Sequence, residues 1–551
     1  MLGLMQQKNL LLSSIIQHAA RWHPNGELVS RTSETHIHRT DYTTIERRSR
    51  CLANVLRHLG VKHGDRVATL AWNNYRHLEL YWAISGMGAI CHTVNPRLAP
   101  DDISYIMTHA GDSVVFADLS FVKLIEGITP TIATAVRHVV LMADPAEMPD
   151  LPLPPGTTLH CYEALMSQED DSFDWPDFDE NTASALCYTS GTTGRPKGVL
   201  YSHRSAVLHA LAANAADNYA FRAMDRILLT TSMFHATAWG WPYCAAMSGS
   251  AVVMPGRWLD GQTVLNTLND ERITYSGGVP TIWLGVLDAM QKSGAALPYL
   301  KRLMVAGSAC PRVLVEGFGA HGVDVYQAWG MTETSPIVTH HATIPATAEL
   351  DTAAATRLRL KQGRPTFGAD IKIVDADGND LPHDGVAFGD LLTRGPWVCR
   401  EYLYRGTEGA AAPDGWFATG DVATIDHEGH VELVDRSKDV IKSGGEWISS
   451  IALENIAVSH SDVAEAAVIN AKHERWQERP LLLVVPREGR TIDTADLMKL
   501  YENAVPKWWL PDAVVLVDEL PHGATGKLNK MALRQKYQNY LLENAPLAAS
   551  Q

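Results

Sequence analysis

The chain has 551 residues, 46% of them hydrophobic, which is ordinary globular material but too long for a single core. Its 47 basic and 62 acidic side chains give a net charge of −15. That charge argues against a nucleic-acid partner and requires any anionic ligand to meet a local positive cluster. The seven cysteines show no C-x-x-C spacing, so we expect neither a zinc site nor a disulfide framework, and a reducing cytoplasm fits.

The N-terminal segment is apolar but has no cleavage pattern of a signal peptide. No run of about 18 uninterrupted apolar residues occurs, so the sequence predicts no transmembrane segment. An apolar N-terminal helix leaves room for a peripheral membrane contact, although a helix that dimerises or packs into the core is favoured.

Short β-rich runs alternate with segments of helical length from Arg66 to Trp329, which predicts an α/β architecture with mixed or parallel sheets. The runs are RVATLAW, ICHTV, SVVFAD, HVVLMA, LCYTS, AVVMPG, ITYSGGVP, RLMVAGSA and VDVYQAW. The alanine-rich stretch 342–363 is predicted to be a loop and a helix. From Ala369 the pattern becomes hairpin-rich, with a turn at Asp377-Gly378. After Asp435 a compact α/β unit begins.

The segment YTSGTTGRPKGV, from Tyr188 to Val199, concentrates hydroxyls, glycines and one lysine between a predicted strand and a predicted helix. Its hydroxyls can donate to phosphoryl oxygens, and its glycines allow backbone N–H groups to form an anion nest. It is not a Walker loop, because Gly198 follows the lysine where Ser or Thr is required. The predicted phosphate-binding residues are Thr189, Ser190, Gly191, Thr192, Thr193, Gly194 and Lys197.

Four further segments follow in order: YQAWGMTE (326–333), GWFATGD (415–421), DRSKDVIKSGGEWIS (435–449) and PHGATGKL (521–528). With the first segment they resemble the signature motifs of the adenylate-forming superfamily, which includes acyl-CoA synthetases, luciferases and peptide-synthetase adenylation domains. Within that superfamily the chain most resembles bacterial medium- and long-chain fatty acyl-CoA synthetases.

The resemblance implies two domains and an oligomeric state. A large N-terminal domain, residues 1–435, would bind ATP and the acid through mixed α/β sheets and a β-rich subdomain. A small, mobile α/β domain, residues 436–551, would follow a hinge at 436–439. A homodimer is also implied.

The resemblance further implies a nucleotide site for ATP and Mg²⁺. Glu333 and Thr193 resemble metal ligands, and Thr332 resembles a hydroxyl on the α-phosphate. Trp329 stands where relatives stack an aromatic ring on adenine, most often a tyrosine, and Gly330 and Met331 complete that motif. Asp421 resembles a ribose ligand, with Arg436 beside it.

Lys527 resembles the catalytic lysine that bridges the carboxylate and the α-phosphate in the adenylation step. For the second step, Lys438 resembles the hinge residue of a rotating C-terminal domain. By resemblance, the segment that lines the pantetheine path of CoA contains Lys442, Gly444, Gly445, Glu446 and Trp447.

The segment TTSMFHATAWGWP, residues 230–242, carries the predicted acyl pocket. Amino-acid-activating relatives have an aspartate that pairs with the substrate ammonium at the position of His235, so a neutral or aliphatic acid is favoured. His235 is predicted to lie at the carboxyl or thiol path, and Trp239 to line or gate the acyl tunnel. Gly307 resembles a small residue that admits the acid.

These features favour an ATP- and Mg²⁺-dependent ligase that joins a medium- or long-chain acid to CoA. Three alternatives stay open: a ligase for a short substituted acid such as a methylthio-propionate, or for an aryl acid; an acyl-AMP ligase or luciferase-like enzyme that does not use CoA; and a nonenzymatic phosphate-binding module. Dependence on CoA separates the first from the second.

Overall fold

The computed structural model describes residues 1, 3–189, 195–404, 411–444, 446–502, 504–523 and 527–544. It contains four sheets, in agreement with the predicted division into mixed α/β sheets, a β-rich subdomain and a small α/β C-terminal unit. No helix in these ranges is both long and apolar enough to cross a membrane.

The first 202 residues build a seven-stranded sheet of order β7-β6-β5-β3-β4-β8-β9 and contribute two strands to a second sheet. The elements are α1 Leu12–Trp22, β1 Glu27–Arg31, β2 Ile37–Asp41, α2 Tyr42–His58, β3 Arg66–Leu70, α3 Tyr75–Gly86, β4 Ile90–Thr93, α4 Pro100–Ala110, β5 Val114–Ala117, α5 Val122–Ile132, β6 His138–Leu141, β7 Thr158–Cys161, α6 Tyr162–Met166, β8 Ala183–Tyr188 and β9 Gly198–Ser202. The strands are parallel except for the β8–β9 hairpin, whose connection is the predicted phosphate loop.

The second sheet has nine strands, in the order β16-β15-β14-β13-β12-β10-β11-β1-β2. Its further elements, with the flanking helices, are α7 His203–Ala213, β10 Arg226–Leu229, α8 Trp241–Ser248, β11 Ala251–Met254, α9 Gly261–Asp270, β12 Tyr275–Gly278, α10 Pro280–Ser293, β13 Arg302–Val305, α11 Arg312–Gly319, β14 Asp324–Gly330, β15 Ile337–His340, α12 Thr352–Arg359 and β16 Arg364–Pro365. All nine predicted runs contain a strand, and the alanine-rich stretch contains α12. The largest core cluster joins apolar residues of both sheets with α1, α2, α3, α7 and α8.

Strands β14, β13, β12 and β10 are consecutive, parallel neighbours in this sheet. Their carboxyl ends therefore meet at one edge, which is where ligands bind in open α/β sheets. The segments that leave these ends carry Glu333, Gly307, Val279 and His235, in the same strand order. The topology alone thus brings four distant parts of the chain together.

Two smaller sheets complete the chain. An antiparallel sheet, β17-β18-β19-β20, is the predicted β-rich part, and a sheet of order β22-β21-β24-β23, with β25 beside β24, forms the C-terminal unit. The elements are β17 Asp370–Val374, β18 Phe388–Arg394, β19 Phe417–Ile425, β20 Val431–Arg436, β21 Ile441–Ser443, β22 Glu446–Ile448, α13 Ser450–Val458, β23 Val463–His473, β24 Gln477–Pro486, α14 Thr494–Lys499, β25 Ala513–Leu516, α15 Lys530–Tyr537 and α16 Tyr540–Glu543.

Candidate active site

The two ends of the phosphate loop, which connects β8 to β9, are joined by hydrogen bonds. Thr189 N–H donates to the carbonyl of Lys197 over 2.9 Å, and Lys197 N–H donates to Thr189 Oγ1 over 3.1 Å. The ammonium of Lys197 lies 4.8 Å from the ring centroid of Tyr402. Five predicted phosphate ligands lie outside the described residues, namely Ser190, Gly191, Thr192, Thr193 and Gly194. The metal ligand predicted at Thr193 is therefore outside them as well.

Glu333 lies in a single 3₁₀ turn, Thr332–Thr334, directly after β14. Its carboxylate is buried, and Oε1 accepts a hydrogen bond of 2.6 Å from the hydroxyl of Tyr402. The Thr332 carbonyl accepts one of 2.6 Å from Tyr201. Gly330 precedes the turn, and a Cβ there would lie 1.8 Å from the carbonyl oxygen of Pro336, so only glycine fits.

The donor set around Glu333 fits a magnesium ion that is shared with phosphates. Magnesium is usually held by one or two carboxylates together with substrate phosphates and waters. Glu333 supplies one such oxygen group, and the described residues contain no cluster of three or more acidic, histidine or cysteine side chains that would form an all-protein cage.

Asp421 and Arg436 are direct cross-strand partners in β19 and β20. Arg436 Nε lies 2.9 Å from Asp421 Oδ1, and Trp329 Nε1 donates to Oδ2 over 3.0 Å. Burial raises the pKa of Asp421, and the charge of Arg436 and the indole hydrogen bond oppose that rise. Each carboxylate oxygen retains a lone pair with which to accept from a ribose hydroxyl.

Trp329 is buried and packs beside Val338, Ala369 and Trp397. Its contact with Asp421 is a feature that the sequence did not indicate. The indole fixes the orientation of the carboxylate, while adenine stacking by Trp329 stays a prediction.

Lys527 extends from the C-terminal unit into this site. Its Cε lies 3.9 Å from the point that a Cβ on Gly307 would occupy. Burial and the charge of Arg436 lower the pKa of Lys527 to about 8, against the opposing effect of Asp421 and Glu333. The structure thus brings together the predicted catalytic lysine, metal carboxylate and ribose carboxylate.

His235 is buried at the same edge of the second sheet, close enough to Lys527 to be affected by its charge. Burial, helped by Lys527, lowers the pKa of His235 to about 4, so the imidazole is neutral at pH 7. A neutral ring can donate or accept one hydrogen bond without adding charge to the site.

Trp239 is held by a left-handed turn. The residues from Ala236 to Trp239 have φ values of 39°, 39°, 52° and 58°, which are rare for residues other than glycine. The turn is fixed by hydrogen bonds from Tyr219 to the Trp239 carbonyl, at 3.1 Å, and from Thr231 to the Ala238 carbonyl, at 3.3 Å. Backbone strain of this kind is typical of functional sites.

A cavity of about 320 Å³ opens beside this turn. Its lining includes Arg97, Thr231, Phe234, His235, Trp239 and Val279. No described residue of the lining is acidic. Gly307 lies next to two of these lining residues: its φ is +86°, and a Cβ on it would lie 3.2 Å from Val279 and 3.8 Å from Trp239.

Arg97 and Tyr402 are site residues that the sequence analysis missed. The guanidinium of Arg97, which lines the cavity, lies 5.8 Å from the Trp72 ring and 6.0 Å from the Phe234 ring. The only sequence signal for Arg97 was an arginine in the loop between β4 and α4, in the stretch NPRL. Tyr402 stands in CREYLYR, where no local pattern marked it.

The predicted CoA segment lies apart from the cavity. The Trp447 ring packs 5.4 Å from the Phe388 ring of β18, and the Lys442 ammonium lies 5.5 Å from the same indole. A Cβ on Gly444 would lie 2.7 Å from Trp476. Gly445 and the Glu446 side chain lie outside the described residues.

Around the predicted hinge, the Asp435 carboxylate accepts a hydrogen bond of 2.7 Å from Ser450 N–H at the start of α13. Ser437 donates to Asp390 over 2.8 Å, and Arg534 pairs with Asp439. Burial lowers the pKa of Lys438. The hydrogen bonds of Asp435 and Asp390 tie the C-terminal unit to β20 and β18 in the arrangement that places Lys527 in the site, and the Arg534–Asp439 pair lies within the unit.

The sequence matches the AMP-binding enzyme family over residues 16–403 and the AMP-binding enzyme C-terminal domain over residues 452–527. The chain belongs to this family. The predictions of an adenylate-forming enzyme and of its two-part α/β fold are confirmed, as is the prediction of an acid–thiol ligase that uses ATP, Mg²⁺ and CoA.

Two curated relatives cover nearly the whole chain. A 3-methylmercaptopropionyl-CoA ligase from Ruegeria lacuscaerulensis is 48% identical over 98% of this chain and 100% of its own. A medium-chain-fatty-acid–CoA ligase from Ectopseudomonas oleovorans is 44% identical over 99% of each. An anthranilate CoA ligase solved with anthranoyl-AMP has the same fold, with a TM-score of 0.85 at 22% identity over 98% of this chain and 99% of its own.

Proposed function

We propose that this ligase activates a short carboxylic acid with an uncharged tail, of the 3-methylmercaptopropionate type. A carboxylate oxygen would attack the α-phosphorus of ATP and release pyrophosphate, and the thiol of CoA would then attack the acyl-adenylate carbonyl and release AMP. The crowding around Gly307 supports the choice of a short acid, because even a Cβ at that position would lie 3.2 Å from Val279 and 3.8 Å from Trp239.

The first step needs charge to be neutralised at the phosphates. Lys527, protonated below about pH 8, is proposed to lie between the attacking carboxylate and the α-phosphate. Asp421, oriented by Arg436 and Trp329, would accept hydrogen bonds from the ribose. Glu333 would hold Mg²⁺, which when bound neutralises phosphate charge.

The described acyl side of the site has no charged wall apart from Lys527 and Arg97. An amino acid would bring a buried ammonium without a carboxylate partner, and this costs several kcal/mol. A thioether is uncharged and packs well against an aromatic face such as that of Trp239, with a contact worth roughly 0.3–1.5 kcal/mol. A long aliphatic chain would require the Trp239 ring to move.

The side of the cavity that carries Arg97 is proposed to admit CoA. Thr231, Ser232 and Thr281 supply hydroxyls that suit the amides of pantetheine, and Arg97 offers a cation for a phosphate of the nucleotide part. In the second step the C-terminal unit, residues 436–551, would rotate about Lys438, withdraw Lys527 and bring Trp447 to the cavity.

The decisive experiment measures pyrophosphate release over neutral acids of graded length, with and without CoA. We expect kcat/KM to peak at acids of the size of 3-methylmercaptopropionate, with thioester and free AMP formed only when CoA is present. A peak at long-chain acids would overturn the choice of acid. Adenylate that accumulates unchanged in the presence of CoA would overturn the second step.

A medium-chain fatty acid is the second candidate. It is favoured by the 44% identical relative and by the neutral, partly apolar wall that includes Phe234 and Ile282. Octanoate in the same series discriminates between the two candidates, because its tail is uncharged like that of the first acid but longer.

A further inference from the structure

Tyr402 lies between the two parts of the site that face the triphosphate. Its hydroxyl donates to Glu333 Oε1 over 2.6 Å, while its ring faces the Lys197 ammonium at 4.8 Å. The ring is 7% exposed. One side chain therefore touches both the predicted metal carboxylate and the lysine of the phosphate loop.

The backbone around Tyr402 is fixed to the same two parts. Leu403 N–H donates to the carbonyl of Gly198, at the start of β9, over 2.9 Å. Cys399 N–H donates to the carbonyl of Glu333 over 2.7 Å. The segment 399–403 thus joins the end of the phosphate loop to the turn that carries Glu333, and Tyr402 is held on both sides.

A core tyrosine with a satisfied hydroxyl would show some of these features, since the ring also packs near Phe417, Ala185 and Val199. The partners of Tyr402 distinguish it from an ordinary core tyrosine. Its hydroxyl donates to a carboxylate oxygen of the predicted metal ligand, and its ring faces the lysine of the phosphate loop. A donor on one carboxylate oxygen fixes the direction in which the other oxygen points, as supporting residues do at metal sites.

We propose that Tyr402 is a positioning residue for the metal–triphosphate end of the site. Its hydroxyl orients Glu333 toward Mg²⁺, and its ring supports Lys197 at the phosphates. The inference rests on the proposed assignment of Glu333 to Mg²⁺. It gives the stretch CREYLYR a function in the adenylation step.

The test removes the two contacts separately. Tyr402→Phe keeps the ring and loses the hydroxyl, whereas Tyr402→Leu loses both. Tyr162→Phe is the matched control, because the hydroxyl of the buried Tyr162 donates to the Glu79 carboxylate, also over 2.6 Å, between α6 and α3 and away from the site. Calorimetry of ATP binding, without acid, is run at graded Mg²⁺ concentrations and with chelator, beside the thermal midpoint of each variant.

We expect Tyr402→Phe to raise the Mg²⁺ concentration for half-maximal ATP binding about tenfold, and to leave metal-free ATP binding unchanged. Tyr402→Leu should weaken metal-free ATP binding as well. Tyr162→Phe should lower the thermal midpoint without moving the Mg²⁺ dependence. If Tyr402→Phe behaves like Tyr162→Phe, the hydroxyl is structural and the inference is wrong.

Glu333→Gln separates this inference from the proposed function. A shift of the Mg²⁺ dependence in Glu333→Gln without one in Tyr402→Phe would overturn the role of Tyr402 alone. If Glu333→Gln causes no shift, the metal assignment of Glu333 fails, and the role of Tyr402 fails with it.

Discussion

The nucleotide half of the site and its acyl half are built in different ways. In the nucleotide half, the carboxylates of Glu333 and Asp421 are paired by tyrosine, tryptophan or arginine side chains from other segments of the chain. In the acyl half, the described walls are uncharged apart from Arg97, the backbone from Ala236 to Trp239 is left-handed, and a further nearby charge comes from Lys527 of the C-terminal unit. The nucleotide half is preorganised for one ligand. The acyl half depends on the turn at Trp239 and on the docked position of the C-terminal unit.

Replacement of Lys527 by alanine should change the rate of a half-reaction more than any other change proposed below. The nucleotide half would stay intact, so ATP binding should change little, while adenylate formation should fall by about 10² to 10³ because one preorganised charge is lost. Thioester formation from a supplied acyl-adenylate should persist. Both half-reactions are measured separately, with Lys499→Ala, an exposed lysine of α14, as the control. Equal loss in both half-reactions would contradict a role confined to the first step.

Lys438→Pro tests whether the C-terminal unit moves between the steps. Proline fixes φ near −65° and restricts Ser437 before it, which should hold Lys527 in the site. We expect adenylate formation to survive and the thioester half-reaction to fall roughly 10²-fold, because Trp447 and its neighbours would be misplaced. Lys438→Ala is the matched control, since it removes the same side chain and keeps the backbone free. Normal thioester formation by the proline variant would show that residue 438 is not the pivot.

Trp239→Ala should change the acyl half alone. The enlarged space beside Gly307 should improve kcat/KM for octanoate relative to 3-methylmercaptopropionate by about tenfold, the order expected for a change in a hydrophobic pocket. The KM for ATP should stay within twofold. Trp258→Ala serves as the control, because that indole packs near Arg31 and Arg257 and is not part of the cavity lining. A raised KM for ATP with an unchanged acid profile would place Trp239 in the nucleotide half.

The two halves also differ in how far the sequence predicted them. Glu333, Asp421 and Lys527 were predicted from ordered motifs, and most strands from Arg66 to Trp329 were predicted from hydrophobic runs, although β7, β9 and β10 were not. The partners of those residues were not, because a hydrogen bond such as that of Tyr402 to Glu333 joins positions 69 apart and leaves no local pattern. The left-handed turn before Trp239 was invisible too, since HATAW contains none of the glycines that signal such a backbone.

The pH dependence of the first step should give the smallest effect, and it sharpens the electrostatic side of the comparison. The lowered pKa of Lys527, about 8, belongs to the free enzyme, so kcat/KM for adenylate formation should halve by about pH 8 and fall further as the ammonium loses its proton. Bound phosphates favour the charged lysine, so kcat should decline only at higher pH. His235, with a pKa of about 4, should add no lower limb between pH 5 and 7. Lys527→Arg keeps its charge and should lose the upper limb; a limb that persists in this variant would assign it to another group.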